Sequence, residues 1–398
     1  MSDLILTLNS GSSSLKSGLF LASEGTCVGR LSLSGIGSAK TSCSFTGPLF
    51  GTTPQAPLPS CATSHEALHA LLDRLESALP TGSLKAVGHR VVHGGDFAQA
   101  QLVTPQILET LTRLAPLAPL HQPFNLEAIA RVAARHPTLP QIACFDTSFH
   151  ATIPALHRLC PLPKEWRAAG VRRYGFHGLS YSFIRSRLRQ LIPDFAHQRI
   201  LIAHLGSGAS LCALKNGESF DTSMGFSALD GLVMGTRTGS LDPGVILYLL
   251  QEGKLSAADL QDLLYHKSGL LGLSGLSADM KILLGSDGPE ARQAVDFFCL
   301  RAAREAGGLI SLMGGLDALI FTGGIGEHAA PIRAQITKGL SWTGAELQAE
   351  TNETLPSDGA VRLSPPSSRV ACWRIPTDEE SVIAEETRAR ANGLIAKS

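Results

Sequence analysis

No C-x-x-C pair occurs among the eight cysteines of this 398-residue chain. They stand at 27, 43, 61, 144, 160, 212, 299 and 372, too scattered for a zinc knuckle or a thioredoxin-type couple. Thiols spaced in this way fit a reducing compartment. Net charge is missing too, because 34 basic residues balance 34 acidic ones. Without a basic field nothing holds a nucleic-acid backbone, and without a polybasic run nothing holds an anionic membrane. Long apolar runs are absent as well. The nearest, 307–326, is broken by Asp317 and its glycines, which excludes a membrane-spanning helix there. Asp3 stands where a secretory leader carries bases. These absences lead to the expectation of a cytoplasmic protein with no nucleic-acid and no membrane partner, acting on a small molecule.

Glycine, by contrast, is plentiful at 40 residues, and it clusters after apolar strands. Leu4 to Leu8 reads as a strand, followed by Asn9-Ser10-Gly11-Ser12-Ser13-Ser14 and a return strand, Leu15 to Leu21. Arg199 to His204 reads as another, followed by Gly206-Ser207-Gly208, a return strand at Ala209 to Leu214, and the type I′ hairpin signal Asn216-Gly217. The two passages lie close to half a chain length apart, the mark of a duplication. A third glycine cluster, Gly323-Gly324-Ile325-Gly326, follows the strand Asp317 to Phe321. Tight Gly/Ser turns point backbone N–H groups at an anion, so three of them after strands predict a polyphosphate site.

Helical patterns cover Ser64 to Ser77, Pro105 to Leu114, Pro123 to Arg135, Asp242 to Glu252, Ala257 to His266, Pro289 to Leu312 and Thr377 to Gly393. Strands at Ala86 to His93 and Gln141 to Phe145 lie between the first helices. Hairpins mixed with strand–helix alternation predict an α/β fold with a mixed sheet, flanked by helices, in each of two related domains. The expected division is 1–148 and 149–382, with 383–398 packing back on the first domain.

There is no P-loop, since the single Gly-Lys pair, Gly253-Lys254, lacks its partners. Gly324 to Ala329 fits G-x-G-x-x-A, but no βαβ half precedes it as a nicotinamide-binding fold requires. Arg90, inside an apolar strand, and Arg237, in a glycine-flanked loop, have no acid nearby in sequence. Both suit a carboxylate or a phosphoryl group in transfer. Asp146 closes a strand, where it either caps the next turn or serves a site. Thr377 with Glu380 reads as a capping box, which leaves Glu379 available to a magnesium ion. His177 is opened by Gly175 and Gly178.

Taken together, Asn9 to Lys16, His89 to Gly95, Arg173 to Ser180, Asp221 to Phe226, Gly235 to Arg237 and Phe321 to Glu327 resemble the acetate kinase family, in order and over residues 4 to about 387. The resemblance implies an actin-like (ribonuclease H-like) duplication with a cleft between the domains, a C-terminal nucleotide-binding domain and a homodimer. It implies magnesium-dependent transfer of the ATP γ-phosphoryl to acetate, giving acetyl phosphate and ADP, with Mn²⁺ able to replace Mg²⁺. Propionate or another short-chain carboxylate is the alternative acceptor. Carried over by position, Arg90 and Arg237 hold the carboxylate and migrating phosphoryl, His177 stabilises charge, and Asp146 serves the catalytic centre. Asn9 and Glu379 are matched to the metal, with Ser12 in the same N-terminal motif. Val92, Leu120, Phe176 and Ala228 match the acyl pocket. Lys16, His204, Gly206, Ser207, Gly208, Asp279, Met280, Lys281, Gly323, Gly324, Ile325 and Gly326 match the nucleotide site. Four positions depart from the family pattern. Ser207 replaces Asn, Ala228 replaces Pro, Lys281 replaces Arg and Ser240 replaces Asp. Two other readings remain open on the residues themselves, a nucleotide-switch domain and a nicotinamide dehydrogenase.

Overall fold

A computed structural model describes residues 3–11, 14–37, 42–50, 61–356 and 358–395. Ser12, one of the expected site residues, lies outside them. Two compact units divide the chain, Met1–Ala151 with Asp378–Ser398, and Thr152–Thr377.

The first unit is built on a sheet of seven strands, β1 (Leu4–Ser10), β2 (Ser14–Leu21), β3 (Cys27–Ser34), β4 (Ser42–Thr46), β5 (Leu84–Val91), β6 (Gln101–Leu102) and β7 (Gln141–Phe145). They lie in the order β4-β3-β2-β1-β5-β7-β6. The meander β1 to β4 is antiparallel, while β5 and β7 run parallel to β1. Side-chain alternation along β1 separates the two faces. Leu6 and Leu8 pack with Leu68, Leu71, Leu72 and Leu75 of the helix Ser64–Ala78 and with Ala128 and Val132 of the helix Gln122–Arg135. Ile5 faces the other way, with Ala86 of β5 and Ala391 of the last helix, Glu379–Ile395. Each leucine buried in this way contributes roughly 1.5–3 kcal/mol.

Ala86, Gly88 and Arg90 share the face covered by that last helix. Gly88 is required there, because a Cβ would lie 2.1 Å from Thr387 Oγ1 and 2.6 Å from Ile383 Cγ2. The helix therefore seats directly on β5, and its N-terminal residue Glu379 comes level with Arg90.

The second unit repeats the plan. Its strands are β8 (Ile200–Leu205), β9 (Ala209–Lys215), β10 (Glu218–Thr222), β11 (Ala318–Thr322), β12 (Val361–Arg362) and β13 (Ala371–Arg374). Their order is β10-β9-β8-β11-β13-β12. Again a meander leads, β11 and β13 run parallel to β8, and the edge strand is antiparallel. Order and direction match β3-β2-β1-β5-β7-β6 of the first unit strand for strand, so the duplication is a property of the fold. Asn216 and Gly217 both take positive φ, 56° and 73°, as a type I′ turn requires. The antiparallel start of this sheet is incompatible with a dinucleotide-binding fold, and that reading is withdrawn.

The third glycine cluster forms no hairpin turn. Gly323–His328 is the first turn of a helix leaving β11. The last helix also differs from expectation, since it begins at Glu379 and no Thr377–Glu380 capping box forms. Thr377 Oγ1 is buried without a hydrogen-bond partner, and Asp378 Oδ1 accepts the Ser381 N–H at 3.2 Å instead. Aspartate is the stronger N-cap, and one position is enough to displace threonine from the role.

Candidate active site

In the first unit the ends of β1, β5 and β7 bring Asn9, Arg90 and Asp146 together with Glu379. Arg90 Nη2 and Nε donate to the two oxygens of Asp146 at 2.6 and 3.1 Å, and Nη1 donates to Asn9 Oδ1 at 3.1 Å. Glu379 Oε2 lies 3.6 Å from Arg90 Nη1 and accepts from Asn9 Nδ2 at 3.0 Å. The acids missing around Arg90 in sequence are thus supplied from 56 and 289 residues away. Burial alone would lower the Arg90 pKa, but Asp146, then Glu379, outweigh it and hold the guanidinium well above its ordinary value. Bidentate pairing with Asp146, 1% exposed on its side chain, fixes the fork and leaves its direction set.

Glu380 is buried behind this group, 3.7 Å from Arg30, which also pairs with Asp378. Burial raises the Glu380 pKa, the negative charge of Glu379 adds to it, and Lys16 opposes it. Lys16 itself is exposed on β2. Asn9 and Glu379 offer hard oxygens suited to Mg²⁺, and among the described residues no cluster of three or more His, Cys, Asp or Glu could hold a metal. A pair of oxygens is what Mg²⁺ uses when phosphates and water complete its shell, so the residues fit an ion that arrives with a nucleotide.

In the second unit the turn between β8 and β9 is the organising feature. Gly206 N donates to Gly208 O at 3.0 Å, and Gly235 N donates to Ser207 O at 3.0 Å. A Cβ on Gly208 would come within 3.1 Å of His177 Nε2 and 3.3 Å of Arg237 Nη2. Glycine at this position lets both cationic-capable groups close on the turn without giving way. Arg237 is braced from behind, its Nη1 donating to Ala228 O at 2.6 Å. His177 takes φ 58° at the start of the helix Gly178–Leu191, and its ring stacks on His204 at 4.4 Å between centroids.

Beside this turn lies a cavity of about 760 Å³, lined by Gly206, Ser207, Asp279, Met280, Lys281, Gly324 and Ile325. Ala278, Leu284, His328, Ala329 and Pro331 complete it. Its walls are mostly apolar, which suits a flat heterocycle. Gly323 and Gly326, next to Gly324 and Ile325 in the chain, are buried. Val92 and Leu120 belong to the first unit, and Phe176 and Ala228 to the second. Val92 and Phe176 are buried, and Leu120 is half-buried.

The acetokinase family model matches residues 4–385. The chain belongs to the acetokinase family. An acetate kinase of Rhodopseudomonas palustris is 48% identical, with 99% of this chain and 100% of that one covered. Among solved structures, the acetate kinase of Porphyromonas gingivalis is 33% identical with a TM-score of 0.85, over 97% and 99% of the two chains. A propionate kinase from Francisella tularensis is 33% identical with a TM-score of 0.88, over 98% and 100%.

In this member of the acetokinase family several supporting residues were not singled out by sequence. Ser210 and Ser180 contact the two stacked histidines and Tyr181 contacts Ser210, yet none of the three drew a role of its own, Ser180 being only the last residue of the Arg173 to Ser180 motif. Arg333 is 1% exposed and donates to the carbonyls of Gly326 and Glu327, both at 3.0 Å. Burial, then the nearby Arg374, push its pKa down to about 10. It holds the end of the glycine-rich helix through its carbonyls, and its only signal in the sequence is an arginine where a buried helix face wants an apolar residue.

Proposed function

We propose that this chain is a carboxylate kinase that transfers the γ-phosphoryl group of ATP reversibly to acetate, forming acetyl phosphate and ADP. The observation that carries the reading is the approach of His177 Nε2 and Arg237 Nη2 to the Gly206–Gly208 turn. Two donors aimed at one backbone turn suit a phosphoryl group whose charge grows on its outer oxygens in transfer. The cavity beside the turn would take the adenosine. In the first unit, Arg90, held by Asp146, would bind the acetate carboxylate, with Glu379 and Asn9 holding Mg²⁺ together with the phosphates. The metal would neutralise phosphate charge, and Mn²⁺ would serve in its place. Val92 and Leu120 of the first unit, and Phe176 and Ala228 of the second, are the residues we assign to contact with the acyl group. We further propose a cytoplasmic homodimer.

The test is a hydroxamate assay with ATP, Mg²⁺ and acetate, propionate or butyrate. The expected order of kcat/KM is acetate, then propionate, then butyrate, since one methylene in an apolar pocket is worth about 1–3 kcal/mol. Propionate above acetate would make the chain a propionate kinase, and no acyl hydroxamate from any of the three acids would reject the proposal.

A further inference from the structure

A chain of hydrogen bonds runs behind His177. His177 Nδ1 lies 2.8 Å from Ser210 Oγ on β9, and Ser210 Oγ lies 2.5 Å from the hydroxyl of Tyr181. Ser210 and Tyr181 are fully buried. A parallel pair sits alongside, with His204 Nδ1 2.8 Å from Ser180 Oγ. The rings of His177 and His204 are 23° from parallel. In both, Nδ1 is engaged by a serine while Nε2 faces the glycine turn, His177 toward Gly208 and His204 toward Gly206.

We propose that Tyr181 and Ser210 are positioning residues that hold His177 as a neutral imidazole with its proton on Nε2. The inference rests on the phosphoryl-transfer reading above. The direction of the chain follows from acidity. A phenol is a stronger acid than an alkyl hydroxyl, so Tyr181 donates to Ser210. With an acceptor lone pair so used, Ser210 turns its own proton to His177 Nδ1. A neutral imidazole that accepts at Nδ1 carries its proton at Nε2. The charge beside the ring acts in the same sense. Arg237 stands on the Nε2 side, and its fixed positive charge disfavours a second cation on His177. The result is an N–H donor directed at the phosphate turn, already aligned before the phosphoryl charge develops. The left-handed backbone of His177 serves the same end, because it places the ring between the turn and the first helical turn that bears Ser180 and Tyr181.

The experiment uses the full-length chain labelled with ¹⁵N, with the His177 imidazole assigned by comparison with His177→Gln. Long-range ¹H–¹⁵N spectra of the wild type at neutral pH are expected to show Nε2 protonated and Nδ1 bare. Ser210→Ala is expected to move His177 toward the Nδ1–H form. It is expected to lower kcat about 10- to 100-fold, the range found when the partner that orients a metal-bound histidine is removed. KM for acetate and ATP stays within about threefold, because orientation matters most in the transition state. Tyr181→Phe keeps the Ser210 proton and loses less, about three- to tenfold in kcat. A doubly protonated or Nδ1-protonated His177 in the wild type overturns the proposal. So does a Ser210→Ala protein with unchanged tautomer and unchanged kcat. If the wild type lacks acyl kinase activity, the functional reading fails, while the spectra still decide the tautomer.

Discussion

Arg90 and Asp146 form a pair in which one partner reaches the site surface and the other is shut off from water, at 17% and 1% side-chain exposure. Removing the arginine has two separable effects. Arg90→Ala is expected to reduce kcat by about 10³-fold or more, the scale of losing one arginine from phosphoryl transfer, with nucleotide affinity nearly unchanged. It also takes the bidentate partner from a buried carboxylate, at a cost of up to about 3–5 kcal/mol, so rates must be compared well below the melting temperature. Turnover near that of the wild type would remove Arg90 from the chemistry. Two residues apart on the chain, Asp378 and Glu380 invite confusion with Glu379 between them. Asp378 caps the last helix and pairs with Arg30. Asp378→Ala is therefore expected to lower stability by about 0.5–2 kcal/mol, while Glu379→Ala leaves melting nearly unchanged and raises the Mg²⁺ requirement. Urea unfolding and a Mg²⁺ titration of both variants separate the two roles.

At the scale of elements, the seat of the helix Glu379–Ile395 on β5 depends on the missing side chain of Gly88. Gly88→Ala would drive a methyl group into Thr387 and Ile383. The expected outcome is a loss of about 1–3 kcal/mol, typical of an overpacked core. Activity falls as well, because Glu379 rides on the displaced helix. A variant as stable and active as the wild type would show that the helix adjusts freely. This contact was not legible in the sequence, where Gly88 is simply a glycine in an apolar strand. What was legible has a physical reason in each case. In Gln141–Phe145 the apolar run 142–145 ends at Asp146, with Pro140 before the strand, and Ala257–His266 opens on a Ser256–Asp259 capping box. Both elements stand where the pattern put them. The helix Gly178–Leu191 and the strand β13 went unread. The first is only mildly amphipathic in sequence, and the second is four residues long with tryptophan and arginine in it. In the candidate site, the charged residues announced themselves by standing in apolar or glycine-rich surroundings. Their partners did not, because Arg90 meets acids contributed from distant strands and helices, and sequence spacing carries no record of that proximity.

For the whole molecule, one half-buried acid is expected to contribute strongly to the response to pH. Glu386 is pushed up to about 7, chiefly by burial and then by Glu385 and Asp146, against the hydrogen bond with Cys144 and the charge of Arg390. Its Oε2 has no hydrogen-bond partner. A carboxyl raised in the folded state favours folding while protonated, below its unfolded value near 4.5. That contribution is lost as pH rises through about 7. Glu386→Gln is therefore expected to be more stable than the wild type at pH 8, by on the order of 2–3 kcal/mol, and to match it near pH 4.5. Urea midpoints across that range measure it; parallel curves for the two proteins would exclude Glu386 as the source. The interrupted layout of the first unit bears on how the chain is made. Residues 1–151 leave the ribosome early, yet the helix that covers Ile5, Ala86 and Gly88 is translated only after the whole of 152–377. At about 5–20 residues per second, the opening sheet waits roughly ten seconds to a minute with one face bare. The segment 152–377 is translated before that helix and reaches its own sheet order first, so the unit whose strands are made earlier is the one completed later.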